Sequence, residues 1–384
     1  MVSSFAGTAG HPTDGAQRKR GPSPRPRRRR LPRGVAMHRC LMIGAGGMAG
    51  YWIRSVLPAF RDRMQIVGLV DLRPDVLRDA GDFLGLPDAA RFSTMEAAFD
   101  RVEADFCIVV IPPAFHEEAV MRAVDRRLAI LSEKPIADRW EGCVRIYRAV
   151  TAAGLKMQVV QNYRFTPRIL TLKSVLDRGE LGRPHYVIAR FAADYRRRGA
   201  WGAAFRHEIP HSLLVEGSVH HFDQIRNLAG ADCERIAGWE WNPPNDSFDG
   251  ECQALFTMRM ANGIHAAYEG NCLAGGTQNS WHQELYRVEC EGGAVAVDRD
   301  GIVRVFRHTP GQGMRVDDVA PVRLPHEGHA AIVAQFLDWL DGGPEPPTVL
   351  RDNLRSAAML FGAIEASEGG VTVDVAAKLR AAIG

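Results

Sequence analysis

From residue 38 to about residue 160, short apolar runs alternate with helical patterns. The runs are continuously apolar, which is typical of strands that are buried on both faces of a parallel sheet. They lie at residues 40–43, 65–71, 106–111, 128–131 and 157–161, with helical patterns between them at 49–57, 75–84, 95–101, 115–127 and 139–152. This alternation implies right-handed crossovers between parallel strands. The pattern therefore predicts an α/β domain with a doubly wound parallel sheet.

After residue 160 the predicted strands become longer and alternate between apolar and polar positions. They lie at residues 185–195, 234–241, 252–260, 264–273, 284–291, 295–298 and 302–307, and helices are predicted at 166–178, 213–228, 330–340 and 353–367. Such alternation is typical of antiparallel strands with one exposed face. We therefore expect one domain over residues 37–161 and a second over 162–384. The second is predicted to be an α+β domain with a large, mostly antiparallel open sheet.

Residues 1–36 differ from the rest of the chain in composition and charge. They are rich in Gly, Pro, Ser and Arg, show no apolar period, and hold nine basic residues and one acid, a net charge of +8. The remaining 39 basic and 44 acidic residues give −5, so the total of +3 misrepresents the folded part. This tail is predicted to be disordered. For the folded part, the charge gives no reason to expect a nucleic-acid partner.

Three interpretations of the tail compete. It is a basic arm for nucleic acid or membrane, a twin-arginine export signal, or a segment that is absent from the native protein because translation starts at Met37. The export interpretation fails because the apolar run at 41–53 carries the glycine pattern described below, and cleavage would remove it. We favour the start at Met37, since nothing in the tail has fold-forming content.

The overall composition indicates a soluble protein of a reducing compartment. Of the 384 residues, 46% are hydrophobic and 24% are charged, which is ordinary for a globular protein. No apolar run reaches the roughly 18 residues that a membrane span needs. Seven cysteines, none within three positions of another, form no CxxC pair and make a disulfide framework unexpected. We expect a cytoplasmic location without a membrane partner.

A glycine-rich turn joins the first predicted strand to the first predicted helix. It has the pattern GxGxxA, formed by Gly44, Ala45, Gly46, Gly47, Met48 and Ala49. Such a turn lets the backbone approach a pyrophosphate, and the helix start supplies free N–H groups. Asp71 ends the second predicted strand, where a carboxylate binds the adenosine ribose and repels a 2′-phosphate, whereas Arg73 offers a guanidinium for that phosphate. The pattern predicts a Rossmann-type site for NAD, with NADP as the alternative.

The predicted strand at 106–111 ends in Ile111 and is followed by Pro112 and Pro113, and His116 opens the next helix. The two prolines stop the strand and leave a rigid turn beside the expected path of the cofactor. His116 belongs to the cofactor-binding half of the chain, which favours a cofactor-edge or capping role over a catalytic one. We therefore assign these four residues to cofactor binding.

Glu133, Lys134 and Pro135 follow the predicted strand at 128–131, at an edge of the sheet that faces the ligand crevice in this kind of fold. The chain has only five lysines against 43 arginines, so arginine supplies most of its positive charge. A lysine in the crevice indicates a need for a compact ammonium that can exchange a proton. We expect Lys134 to be catalytic and, together with Glu133, to contact the cofactor.

A second polar cluster lies in the helix predicted at 213–228. Glu216, His220 and Asp223 stand at i, i+4 and i+7 and therefore share one helix face. A histidine beside a carboxylate is a plausible general base, although a solvent-exposed pair has the same spacing. A metal site is the third interpretation, with His207, His211 and His220 as ligands. Because Pro210 disfavours a regular helix between the first two histidines, we expect no metal.

These residues carry a resemblance to the Gfo/Idh/MocA family of nicotinamide-dependent oxidoreductases, over essentially all of the chain from residue 38. The matching motifs are GAGGMA (44–49), Asp71, VIPPAFHEE (110–118), EKP (133–135), QNYRFTP (161–167) and EGSVHHFD (216–223). The resemblance implies a Rossmann domain followed by a domain that commonly serves oligomerisation. It places the family's catalytic lysine at Lys134 and its catalytic histidine at His220. The usual aspartate is Glu216 here, and the usual glycine is Ser218.

The resulting prediction is reversible oxidation of a secondary alcohol on a sugar, inositol or related polyol. His220 takes the hydroxyl proton, Lys134 stabilises the charge on the oxygen, and Glu216 orients the imidazole. Tyr163, Arg164 and Asp223 are expected to line the substrate site, and the protein is expected to form a homodimer or homotetramer through its second sheet. Alternatives are carbonyl or imine reduction, NAD-dependent glycosidase chemistry, and a non-catalytic cofactor-sensing regulator. Intact Lys134 and His220 argue against the regulator.

Overall fold

A computed structural model describes residues 37–244, 247–276 and 278–384 of the chain. The predicted tail at residues 1–36 lies outside the described residues. Among the described residues, no helix combines the length and the apolar character that crossing a membrane requires.

The first sheet has six strands, all parallel to their neighbours. They are β1 (His38–Ile43), β2 (Met64–Val70), β3 (Arg91–Phe92), β4 (Phe106–Val109), β5 (Ala129–Ser132) and β6 (Met157–Val159). Their order is β3-β2-β1-β4-β5-β6, the doubly wound order of a dinucleotide-binding sheet. The predicted doubly wound parallel sheet is confirmed. Sequence patterns missed β3, because two residues are too few to show a period.

Five helices accompany this sheet. They are α1 (Gly47–Tyr51), α2 (Pro74–Leu84), α3 (Met95–Arg101), α4 (His116–Asp125) and α5 (Trp140–Ala152). The helix predicted at 49–57 is interrupted, since α1 passes into a π-helical turn at Trp52–Val56 and a 3₁₀ turn at Leu57–Phe60. Trp52 and Ile53 in the π turn are almost completely buried, so packing holds this irregular segment against the sheet.

The second sheet has nine strands. They are β7 (Pro184–Ala192), β8 (Cys233–Trp241), β9 (Gln253–Met260), β10 (His265–Asn271), β11 (Leu285–Cys290), β12 (Gly293–Val297), β13 (Val303–Thr309), β14 (Gly313–Asp318) and β15 (Val373–Asp374). Their order is β14-β13-β12-β11-β7-β10-β9-β8-β15, and β7 and β10 form its parallel pair while the other pairs are antiparallel. The predicted large, mostly antiparallel sheet is confirmed. The strands β14 and β15 were not predicted.

The remaining helices pack around both sheets. They are α6 (Pro167–Asp177), α7 (Val219–Ala229), α8 (Gly328–Leu340), α9 (Leu350–Gly369) and α10 (Val375–Ile383), of which α10 was not predicted. The helix α8 returns to the first sheet, where Phe336 lies against Phe106 with 5.5 Å between ring centroids. Because α8 belongs to the predicted second domain but packs on the first sheet, the domain boundary at residues 161/162 stays a prediction.

The exposed face of the second sheet carries apolar side chains. Trp239 on β8 lies directly opposite Leu255 on β9, and they are 63% and 51% exposed. Exposed apolar pairs of this kind are typical of interaction surfaces. Self-association through this sheet nevertheless stays a prediction.

Candidate active site

The glycine-rich turn connects β1 to the start of α1 and approaches the neighbouring strand closely. Gly44 has a φ of +101°, and a Cβ at this position would lie 2.1 Å from the carbonyl oxygen of Val110. Only glycine combines this backbone conformation with so close an approach. Ala49 is fully buried, which brings the first turn of α1 onto the sheet. The turn thus has the form that a bound pyrophosphate requires, with the backbone of Gly46 at the helix start.

Asp71 and Arg73 both lie beside this turn. The Oδ2 atom of Asp71 accepts hydrogen bonds from the backbone N–H groups of Ala45 at 2.9 Å and Gly46 at 3.2 Å. The Arg73 guanidinium covers Gly46, since a Cβ there would lie 1.8 Å from its Nη2 atom. Its Nε atom is 3.6 Å from Oδ1 of Asp71. A carboxylate and a guanidinium thus lie together beside the glycine turn, and their contacts with the adenosine ribose stay predictions.

Protein groups engage both ring nitrogens of His116, so its predicted contact with the cofactor stays a prediction. Its side chain is fully buried, and its two ring nitrogens lie 2.8 Å from the carbonyl oxygen of Pro135 and 2.9 Å from that of Ile111. Burial lowers the pKa of His116, although the two carbonyl groups oppose this shift. The imidazole therefore ties the turn after β4 to the segment after β5. The cofactor roles of Ile111, Pro112 and Pro113 stay predictions.

Glu133 is also held by protein groups. Its Oε1 atom accepts a hydrogen bond from Nε1 of Trp52 at 3.0 Å and lies 3.6 Å from Nε2 of His329. Its Oε2 atom accepts a hydrogen bond from the backbone N–H of Lys134 at 3.2 Å. Burial opposes ionisation, but His329, Lys134 and Trp52 outweigh it, so the pKa of Glu133 is lowered. The carboxylate positions the backbone of Lys134, while direct contact of Glu133 with the cofactor stays a prediction.

The Lys134 side chain reaches from the end of β5 to the segment before α7. Its Nζ atom donates a hydrogen bond to the carbonyl oxygen of Glu216 at 3.1 Å and lies 3.7 Å from Oε2 of the same residue. Arg206 donates from Nε to that Oε2 atom at 2.9 Å. Burial opposes ionisation of Glu216, but the two cations outweigh it and lower its pKa. Glu216 is therefore an ionised, buried carboxylate that holds the ammonium in place.

This arrangement corrects the prediction that Glu216 orients the catalytic imidazole. Glu216 lies in a π-helical turn, Leu213–Ser218, and α7 begins only at Val219. The regular i, i+4 relation to His220 is lost in such a turn. The His220 Nδ1 atom instead lies 3.3 Å from Oε1 of Gln161. Sequence reasoning missed both Gln161 and Arg206, although Gln161 follows a buried strand directly at the crevice edge.

His220 has the environment of a proton acceptor. It is 7% exposed, and burial lowers its pKa well below the ordinary histidine value, with further lowering by the charge of Lys134 and by His221. The imidazole is therefore neutral at neutral pH. Because the amide oxygen of Gln161 can only accept a hydrogen bond, Nδ1 carries the proton and Nε2 keeps a free lone pair.

Tyr163 forms a wall beside this imidazole. Its ring stacks on His220 with 4.5 Å between centroids and 6° between planes, and it also lies 4.7 Å from the ring of His282. The phenol donates a hydrogen bond to Oε1 of Glu284 at 3.1 Å. Burial raises the pKa of Tyr163 well above its ordinary value, and the charge of Glu284 adds to this. Tyr163 therefore stays neutral and holds the His220 ring in its plane, while contact with substrate stays a prediction.

Arg164 and Asp223 form a buried ion pair on another side of the same segment. Arg164 donates to both carboxylate oxygens of Asp223, at 2.7 and 2.6 Å, and to Asp352 at 2.9 Å. Ser356 on α9 donates to Asp223 at 2.7 Å. These contacts join the turn after β6 to α7 and α9. The substrate roles that were predicted for Arg164 and Asp223 stay predictions, since protein groups engage both side chains.

A cavity of about 430 Å³ lies next to these residues, between α1, the segment after β6 and the start of α8. More of its lining surface is apolar than polar, but it includes three polar side chains that sequence reasoning did not select: Asn162, His282 and His329. The exposed side chains of Met48 and Tyr51 close it on the side of the glycine turn. His282 on its wall packs against Tyr163, which stacks on His220, so the cavity offers hydrogen-bonding groups near that imidazole as well as near the glycine turn.

Comparison with known families agrees with this geometry. Residues 38–161 match a family described as oxidoreductase family, NAD-binding Rossmann fold, and residues 169–296 match the C-terminal domain of the same family. The chain belongs to the Gfo/Idh/MocA family. It is therefore an oxidoreductase whose Rossmann domain binds a nicotinamide dinucleotide, as the glycine turn and Asp71 predict.

Several relatives of this Gfo/Idh/MocA chain extend over most of its length. An uncharacterized protein of Sinorhizobium fredii is 39% identical over 88% of this chain and 96% of its own. A D-apiose dehydrogenase of Paraburkholderia graminis is 25% identical over 85% of this chain and 88% of its own. A solved oxidoreductase from Agrobacterium radiobacter, in complex with NAD⁺, L-tartaric acid and magnesium, superimposes with a TM-score of 0.77 at 21% identity, covering 89% of this chain and 100% of its own. This last likeness shows the shared fold.

Proposed function

We propose that this protein catalyses the NAD-dependent, reversible oxidation of a secondary alcohol in a sugar, an inositol or a related polyol. One observation carries the proposal: the ammonium of Lys134, which is held by Glu216, acts electrostatically on the buried, neutral imidazole of His220. The Nε2 atom of this imidazole is free to accept a proton. A pair of this kind matches what removal of a hydroxyl proton requires.

The residues divide the chemical work between them. His220 accepts the proton of the substrate hydroxyl at Nε2, and the amide of Gln161 keeps the other ring nitrogen protonated. Lys134 donates a hydrogen bond to the same oxygen and stabilises its developing negative charge. Glu216 and Arg206 hold the ammonium in place, so little reorganisation is needed during the reaction. Bound NAD supplies the hydride acceptor.

The polyol class is supported by the cavity and by the relatives. Asn162, His282 and His329 present hydrogen-bonding groups to the cavity, and such groups suit hydroxyl-rich ligands. Burial lowers the pKa of His282, so its ring is available as a neutral partner. The D-apiose dehydrogenase that resembles this chain acts, by its name, on a sugar.

The proposal is tested by assaying inositols, aldoses and aldonic acids with NAD and, separately, NADP. We expect absorbance of the reduced cofactor to rise with at least one polyol, and kcat/KM to be far lower for the matching deoxy compound. Release of free sugar from a glycoside without net NADH would instead support glycosidase chemistry. If the protein binds NAD but oxidises or reduces no member of the panel or its keto counterparts, the dehydrogenase assignment is wrong.

Cofactor preference provides a second test. Because the Asp71 carboxylate repels a 2′-phosphate, NAD should bind more tightly than NADP, and Asp71→Ser should narrow or invert the preference. Arg73→Ala should weaken NADP more than NAD, since the guanidinium covers Gly46 next to the expected ribose position. Fluorescence titration of both cofactors measures these affinities. Tighter binding of NADP by the unsubstituted protein would show that Arg73 outweighs Asp71.

A further inference from the structure

One histidine and three glutamates meet on the side of the second sheet where α9 ends. His211 lies in the segment between β7 and the π turn, Glu240 in β8, Glu251 just before β9, and Glu368 near the end of α9. The Nδ1 atom of His211 is 2.6 Å from Oε1 of Glu240 and 3.4 Å from Oε2 of Glu251. Its Nε2 atom is 3.5 Å from Oε1 of Glu368.

The cluster has more negative charge than its own groups neutralise. Within the described parts of the chain, His211 is the one basic side chain that pairs with any of these three carboxylates. The Glu240 side chain is 2% exposed, and its Oε2 atom has no hydrogen-bond partner there. A buried carboxylate oxygen without a partner is costly, so the site favours a further cation.

Close packing of two chain segments brings these groups together. A Cβ on Gly250 would lie 2.0 Å from the carbonyl oxygen of Ile209, so only glycine permits this approach. The backbone N–H of His211 donates to Oε2 of Glu251 at 2.9 Å. The histidine set considered from sequence does not form, because His207 turns to the carbonyl oxygen of Tyr195 at 3.0 Å.

We propose that His211, Glu240 and Glu251 bind a divalent transition-metal ion, with Zn²⁺ as the best-suited ion. The His211 imidazole would bind the ion through Nδ1, and Glu368, which lies at Nε2, would be the carboxylate that orients the ring. One ligand atom from each of the first three residues lies within 4.8 Å of the others. Bonds of roughly 2.0–2.2 Å place two ligands of one ion at most about 4.4 Å apart, so small side-chain movements suffice. An imidazole with carboxylates is a ligand set for zinc rather than for the oxygen-preferring Mg²⁺ or Ca²⁺.

The ion would join three elements outside the Lys134–His220 pair. It would link α9, the β8–β9 connection and the segment that leads into the turn with Glu216. Since His211 stands two residues before Leu213–Ser218, metal binding would stabilise the base of that turn. This site does not depend on the proposed dehydrogenase reaction, and its test does not require a substrate.

The test is calorimetric titration of the full chain, freed of metal by dialysis against a chelator, with ZnCl₂ and in parallel with MgCl₂. We expect one Zn²⁺ per chain, weak or absent Mg²⁺ binding, and a higher melting temperature with Zn²⁺. His211→Gln and Glu251→Gln should each weaken Zn²⁺ binding by at least about tenfold. Glu251 is partly exposed, so its substitution leaves the fold intact more readily than that of buried Glu240.

Glu365→Gln is the matched control for Glu368→Gln, since both glutamates lie on α9 and Glu365 pairs with Lys378 instead. Zn²⁺ affinity should be unchanged in the Glu365 variant and reduced in the Glu368 variant. Absence of stoichiometric Zn²⁺ binding would overturn the proposal and leave a proton shared by His211 and Glu240 as the explanation. Equal Zn²⁺ affinity in the unsubstituted chain, His211→Gln and Glu251→Gln would overturn it as well, because the ion would then bind elsewhere.

Discussion

Replacement of Lys134 by alanine should lower kcat by about 10²–10⁴-fold, with little change in NAD affinity. The ammonium is the positive group that meets the reacting oxygen in the proposed reaction. Neither the glycine turn nor Asp71 depends on it, so cofactor binding should persist. Lys134→Arg should be nearly as inactive, because the planar guanidinium cannot replace a compact ammonium that donates to the Glu216 carbonyl at 3.1 Å.

Steady-state kinetics with the best polyol and fluorescence titration of NAD measure these two effects separately. Lys173→Arg is the control. Lys173 is one of the few other lysines, and it forms an ion pair with Asp177, one turn along the same helix. This variant should keep full activity. An almost fully active Lys134→Arg would show that the residue acts only as a positive charge, and the interpretation based on the scarcity of lysine would be wrong.

Replacement of His220 by alanine should cause a loss of kcat of the same order, about 10²–10⁴-fold, and should change the pH dependence. The base works only when neutral. Because burial and Lys134 lower the pKa of His220 well below its ordinary value, the unsubstituted enzyme should keep its activity under mildly acidic conditions. Activity should fall only as the pH drops through that lowered pKa, where the imidazole becomes protonated.

The kcat–pH profiles of His220→Ala and Gln161→Leu distinguish the base from the residue that positions it. The first variant should lose the acid limb that belongs to His220. The second keeps the base but removes the acceptor of the Nδ1 proton, so we expect a smaller loss of kcat and a retained, shifted acid limb. An unchanged acid limb in His220→Ala would assign the titration to another group.

Much of the fold was predictable because it depends on local patterns. Continuous apolar runs identified the buried parallel strands, and alternation identified the exposed sheet. The glycine turn was recognisable because a close backbone approach, as at Gly44 against Val110, demands glycine in the sequence itself. Lys134 could be selected as a candidate because strand ends in such a sheet meet at one edge. Elements of two residues, such as β3 and β15, carry no period and were missed.

The partners of the site residues required the tertiary structure. Gln161 and His220 are 59 positions apart, and Lys134 and Glu216 are 82 positions apart, so spacing along the chain does not reveal either contact. The regular helix assumed for Glu216 and His220 was wrong because a π-helical turn shifts the register between them. Sequence patterns therefore selected the candidate catalytic residues, whereas long-range packing decided which groups neutralise, orient and bury them.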